Sequence, residues 1–370
     1  MIIIYLSIIS TILFFTVFLL LIYLGIIFKN TKLYNFLKSK LFSTFVKNVL
    51  LAILTLFLTA TLIFIITEIM PKNYFSNIIS GDVKTPIDDS NFINKLLRYY
   101  LDILPFPKKI CSISHLENNQ MVCSKYEYKL INLNNSYIYM RNTPVEFIIK
   151  DRTKISFIIG IIAYFFQCLI GYPLAIHLAK RENKPIDKTF SFLNASISII
   201  PSIIYFYLFV IIFMVVLKLP VTFDSTNILS YLAPLTALTI NSSIYIAYFL
   251  RKYILIELNK DYVKFAKSKG LSDNAILYKH VLRNAMIPFI RTIPTSILMC
   301  FCGFYLLESA FNIPGIGLTL INAIKFQDIY LIRGILLYFS ILYIISYLIS
   351  DLVANLYNKK SIIKEDIKNE

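Results

Sequence analysis

Apolar runs long enough to cross a lipid bilayer, separated by short polar segments, recur along this sequence and restrict what it can fold into. A hydrocarbon core of about 30 Å takes roughly 20 apolar residues in a helix, and only helices and closed barrels satisfy their backbone groups there. Such runs cover about residues 2–28, 49–70, 155–178, 191–217, 229–250, 286–310 and 331–355. They predict an all-α, polytopic membrane helical bundle. The chain is 57% hydrophobic and 16% charged, too oily for a soluble domain.

The net charge of +16 would suit a nucleic-acid binder, but the Lys and Arg residues sit mainly in short segments between apolar runs. Basic loops flanking membrane helices explain that distribution. Lys29, Lys32, Lys38, Lys40 and Lys47 form a stretch without acidic residues, which the positive-inside rule assigns to the cytoplasm. The first run lacks a basic start and a small-residue cleavage site, so it reads as an uncleaved helix. Alternation then puts residues 71–154 outside the cell and makes residues 180–188, 251–283 and the tail cytoplasmic. The domain reading starts with an N-terminal membrane helix and basic linker over 1–40, followed by a polytopic membrane domain over 41–357. That domain holds an extracytoplasmic insertion at 71–154 and a cytoplasmic segment at 251–290, and a tail follows at 358–370. Pro173, Pro201 and Pro234, inside apolar runs, predict local kinks.

Several chemistries find no support. His115, His177 and His280 are scattered and form no zinc-type pattern. There is no Gly-Lys-Ser/Thr phosphate loop, no His-Glu-x-x-His pair and no internal repeat of the sort secondary transporters show. The chain is therefore expected to be no enzyme and to hold no cofactor. Cys111 and Cys123 share the external segment and are candidates for a disulfide. Gln167, Asn241 and Glu308 are polar side chains in apolar surroundings, hence candidates for a substrate path. Each has a structural alternative: interhelical bonding for the two amides, and for Glu308 a brace for a re-entrant segment at Pro314.

Residues 261–290 are cytoplasmic in this topology yet patterned like two packed helices. Gly270 suits the left-handed position that ends a helix, Ser272 can cap the next, and Leu277, Val281 and Ala285 recur at helical spacing. Lys264, Lys267, Lys269, Lys279 and Arg283 decorate this elbow. On spacing alone, it is either an anchor on anionic lipid or a docking element for a soluble partner.

Ala266, Gly270, Leu271 and Ser272, followed by His280, Leu282, Arg283, Asn284, Ala285 and Pro288, resemble the cytoplasmic loop signature of ATP-binding-cassette importer permeases, in its dipeptide and oligopeptide variant. Lys264 stands where the broader signature opens with glutamate. Glu308, Phe311, Pro314, Gly315, Gly317 and Asp328 are similar to the segment that precedes the last span in that family. The likeness runs over roughly residues 42–357, and the extra N-terminal helix falls outside it.

This resemblance implies a type I importer permease with about six core spans plus the extra helix, in a bacterial inner membrane with its C-terminus in the cytoplasm. Implied partners are a second permease, two ATPase subunits that bind the ATP, and an external peptide-binding protein. The elbow would dock on the ATPase through Ala266, Gly270, Leu271, Ser272, Leu277, His280, Leu282 and Arg283, with Leu277 and Leu282 as apolar anchors. Peptide is the expected substrate. The alternatives are nickel or another small solute, or a secondary transporter unrelated to such ATPases.

Overall fold

A computed structural model describes residues 40–70, 91–105, 107–117, 120–129, 131–136, 138–140 and 143–366. The expected first span, 2–28, lies outside these residues. The chain divides into two compact units, 1–135 and 136–370.

In the first unit a long helix, α1 (Lys40–Ile69), carries a membrane-length apolar stretch at Lys47–Ile69. A shorter amphipathic helix, α2 (Phe92–Ile103), packs against it. Phe64 meets Phe92 and Tyr99 at ring separations of 5.4 Å, Tyr100 stacks on Phe57 at 4.9 Å, and Lys95 pairs with Glu68 at 3.3 Å. Strands β1 (Lys108–Glu117) and β2 (Gln120–Lys129) follow as an antiparallel hairpin, so the insertion has a fold of its own. Its register sets Cys111 opposite Tyr126 and Cys123 opposite Ser114, so the two cysteines lie on adjoining strands without being register partners.

The second unit is helical. Its elements are α3 (Val145–Lys180), α4 (Pro185–Ile199), α5 (Ser202–Ile211), α6 (Leu229–Leu258), α7 (Asp261–Ser268), α8 (Asp273–Ala275), α9 (Leu282–Ala285), α10 (Ile287–Met299), α11 (Tyr305–Ala310), α12 (Ile316–Lys325) and α13 (Ile329–Asp366). Among the described residues, five helical stretches are long and apolar enough to cross a membrane, and α4 with the α5 stretch makes a sixth if a bent pair counts as one.

That bent pair corrects the single span expected at 191–217. The two helices turn by 103° at Ile200–Pro201. Proline lacks the N–H that would continue α4, and its ring drives the preceding residue to extended geometry, here φ −72° and ψ 123° at Ile200. Pro201 therefore breaks its helix, whereas Pro173 in α3 and Pro234 in α6 lie inside continuous ones. The run at 286–310 is interrupted as well, by a tight turn at Cys300–Cys302 and by Gly303 at φ +71°. Helix α3 begins at Val145, before the expected start near 155, and α13 runs on to Asp366.

Helices α3 and α6 form the spine of this unit. Small residues let them approach: Ala163, Gly171, Ala175 and Ala179 recur every fourth position or a multiple of it on α3, and buried Ala233, Ala237 and Ala247 lie on α6. One apolar cluster joins Ile159 and Ala163 to Tyr205, Phe206, Phe213, Ala237, Leu307 and Phe311. A second, at the other end of the spine, joins Ala175, Ala179, Leu250 and Ile254 to Val263, Ala266, Ile276, Leu277 and Val281.

Candidate functional site: the elbow, the Glu308 segment and the bend

The elbow has the local geometry its residue types dictate. Helix α7 ends at Ser268, and Gly270 takes φ +76°, a conformation that costs a residue with a Cβ about 1–2 kcal/mol. A Cβ built there would meet no atom within 4 Å, so the constraint lies in the backbone alone. Ser272 caps α8, its hydroxyl accepting from the Ala275 N–H at 3.4 Å. The next turn, Ile276–Val281, is wound as a π-helix, which keeps Ile276, Leu277 and Val281 together on the buried side.

Leu277, expected to grip a partner, is 5% exposed and packs inside the chain with Ala266 and Ala285; Leu282 is half-buried beside them. The reason is that α3 and α6 already present an apolar surface to the elbow, and its periodic face fills it. The exposed apolar side chains are instead Phe265 at 61%, Leu271 at 42% and Tyr278 at 53%. Lys269 lies over the Phe265 ring at 4.5 Å. Lys180, at the end of α3, lies over the Tyr278 ring at 4.7 Å and donates to Asn274 at 3.0 Å. Lys264 pairs with Asp261 at 2.9 Å, and Lys267 with Asp273 at 3.5 Å. His280 and Arg283 are exposed.

Two polar clusters fix the elbow's surroundings. The Tyr262 hydroxyl donates to Glu257 at 2.9 Å, and Lys260 pairs with the same carboxylate. Burial pushes the Tyr262 hydroxyl up to about 12, a bond with Asn284 opposes this, and the Glu257 carboxylate adds to it. Asp187, 2% exposed, accepts from the Asn183 N–H at 3.1 Å and pairs with Arg251, tying the start of α4 to α6. Sequence reasoning missed this pair because its members are far apart in the chain.

Glu308, on α11, is 2% exposed, and its carboxylate is occupied within the chain. It accepts from Ser156 Oγ at 2.7 Å and from the N–H groups of Leu318 at 2.8 Å and Phe304 at 3.3 Å. Ser156 in turn accepts from the Ile316 N–H at 2.9 Å. The carboxylate thus satisfies donors at the start of α12, which no intrahelical carbonyl can reach. A Cβ at Gly315 would collide with the Glu308 carboxylate, so the close approach requires glycine there. Asp328, 1% exposed, anchors the entry to α13 in a comparable way. It accepts from Ser136 Oγ at 2.6 Å and from the N–H groups of Ile138 and Tyr139, both at 3.1 Å.

The three candidate path residues do not converge. Glu308 is engaged as described, Gln167 is half-buried on α3, and Asn241 lines a cavity at the α4–α5 bend. Asn194, also at that cavity, was not anticipated; a lone amide in an apolar run gives no periodic signal.

Residues 171–362, which include the bend, the elbow and the Glu308 segment, match the family model for the binding-protein-dependent transport system inner membrane component. The chain belongs to this family. Among relatives, the dipeptide transport system permease protein DppB of Lactococcus lactis is 27% identical over 308 residues, covering 82% of this chain and 93% of that one. DppB of Bacillus subtilis is 31% identical over 206 residues, 56% of this chain and 67% of its own. The nickel import system permease protein NikB of Staphylococcus aureus strain RF122 is 24% identical over 311 residues, 83% of this chain and 88% of its own. The chain is thus a multi-pass membrane protein and a permease of a binding-protein-dependent ATP-binding-cassette importer, of the peptide transport family. Membership implies an ATPase and a substrate-binding protein as partners.

Proposed function

We propose that this permease takes up peptides, forms half of the translocation path beside a second homologous permease, and is driven through its elbow by separate ATPase subunits that bind the ATP. The observation that carries the coupling role is the division of labour in the elbow. Its interior is pinned to α3 and α6 by Ala266, Leu277 and Val281, while Phe265, Leu271 and Tyr278 remain exposed among lysines. Burying an aliphatic or aromatic side chain contributes about 1.5–3 kcal/mol, whereas an exposed ion pair contributes about 0–1. The exposed apolar trio is therefore the grip, and the charges orient it. A force applied there reaches α3 and α6 directly, with Lys180 as a polar tether.

Peptide is preferred as substrate because the dipeptide permeases among the relatives are the more similar, at 27% and 31% identity. Nickel is the second reading, favoured by the 83% of the chain that aligns with a nickel permease. In this reading the Lys- and Arg-rich segments put the elbow and the C-terminus in the cytoplasm of a bacterial cell, with the binding protein outside. The test is uptake of labelled tri-alanine and of radioactive nickel by cells with and without the gene. Peptide uptake that depends on the chain supports the proposal; chain-dependent nickel uptake with no peptide uptake overturns it.

A further inference from the structure

A cavity of about 360 Å³ opens beside the break between α4 and α5. The break creates it: past Pro201 the chain turns by 103°, so neither helix continues across the space facing the middle of α6. Asn194 and Ser198 of α4, Ser202 of α5, and Asn241, Ser242 and Tyr245 of α6 supply its polar groups, all of them amides and hydroxyls. Ser198 Oγ donates to the Asn194 carbonyl at 2.7 Å. The side-chain amides of Asn194 and Asn241 make no hydrogen bond to any described residue. Asn241 lies in a helix of membrane-spanning length and Asn194 in one half of the bent apolar pair; an amide turned to hydrocarbon is costly in such surroundings, so they face either a water-filled path or another polar surface.

We propose that this cavity is a substrate-binding site in the translocation path, recognising the main-chain amides of a passing peptide. The inference rests on the peptide-uptake reading above and assigns it a place. A peptide group presents one N–H and one C=O, and an asparagine amide presents the complementary pair; the serine hydroxyls donate or accept as needed. Neutral groups of this sort discriminate little among side chains, which suits a carrier of varied sequences. The volume is at the small end for ligand sites, so only a short stretch of a peptide occupies it at once. The donor set does not suit nickel, which favours imidazole, thiolate or carboxylate; no such group lines the cavity. Asn241 also shares α6 with Ile254 of the elbow cluster, about 20 Å along one continuous helix at 1.5 Å per residue. Site and elbow thus move on one element.

The test measures tri-alanine uptake by the complete transporter carrying Asn194→Leu, Asn241→Leu or both. Loss of each amide should raise KM about tenfold, the cost of a hydrogen-bond partner, while co-purification of the second permease stays at the wild-type level. Asn241→Gln should restore most of the affinity. As a second readout, Asn194→Cys should be alkylated more slowly when tri-alanine is present, scored at that position by mass spectrometry. Unchanged KM in the double variant, or alkylation indifferent to peptide, overturns the site while leaving the uptake reading intact. Loss of the second permease on purification would assign the amides to subunit packing and also overturn it. A wild-type transporter that moves no peptide removes both this site and the reading it rests on.

Discussion

Replacing Glu308 by alanine removes a carboxylate that accepts from Ser156 Oγ, Leu318 N–H and Phe304 N–H at 2.7–3.3 Å. A hydrogen bond to a charged group contributes about 1.5–3 kcal/mol, and the three are not additive because they share one acceptor group. The variant also strands the donors at the start of α12 in a site where Glu308 is 2% exposed. A loss of about 3–5 kcal/mol follows, because each buried donor left unsatisfied costs about 1–3 kcal/mol. Glu308→Gln keeps the volume and one acceptor but turns an NH₂ toward backbone donors, so it should lose about 1.5–3 kcal/mol. At about 2–4 °C per kcal/mol for a unit of this size, the alanine variant should melt roughly 10 °C low and the glutamine variant roughly 5 °C low. The chain has no Trp, but Cys300 is 2% exposed, so with the other four cysteines replaced by serine a thiol-reactive fluorophore in detergent reports unfolding. An alanine variant that melts within about 2 °C of wild type would refute the reasoning.

Gly270→Leu adds about 1–2 kcal/mol of backbone strain at φ +76° and should uncouple ATP hydrolysis from uptake, whereas Gly270→Asn should be tolerated; wild-type uptake by a normally assembled Gly270→Leu transporter would count against the elbow. Leu277→Ala should cost about 2–5 kcal/mol of stability in the same melting assay, while Phe265→Ala should leave melting unchanged and weaken ATPase co-purification. The reverse pattern would mean that the buried and exposed faces of the elbow have been misassigned. Asp187→Asn leaves Arg251 facing no carboxylate at the base of α4 and should lower stability by about 3–5 kcal/mol, read as a melting shift.

The elbow was legible in the sequence because its constraints are local. Gly270 is the residue type that tolerates a positive φ, Ser272 is a capping residue, and Leu277, Val281 and Ala285 repeat at helical spacing. Which partner that apolar face meets was not legible. Periodicity marks a buried face without saying whether the surface that buries it belongs to the same chain, and here α3 and α6 supply it. Hydropathy found the spans but could not distinguish a helix continuous through Pro173 from one broken at Pro201, since both lie in apolar runs. The Asp187–Arg251 pair and the Asn194–Asn241 cavity depend on helix pairing, which a single sequence does not encode in any short pattern. Glu308 stood out as an acidic residue beside a Pro-Gly-x-Gly stretch, but its bond to Ser156 crosses 152 positions.

The most direct measurement is affinity purification of the chain in mild detergent, identification of co-purifying proteins, and assay of ATP hydrolysis with and without peptide and binding protein. The account predicts a second permease and ATPase subunits in the eluate, with hydrolysis that rises when peptide-loaded binding protein is added and falls in the Phe265→Ala variant. A chain recovered alone across several detergents, with no associated hydrolysis, would contradict it.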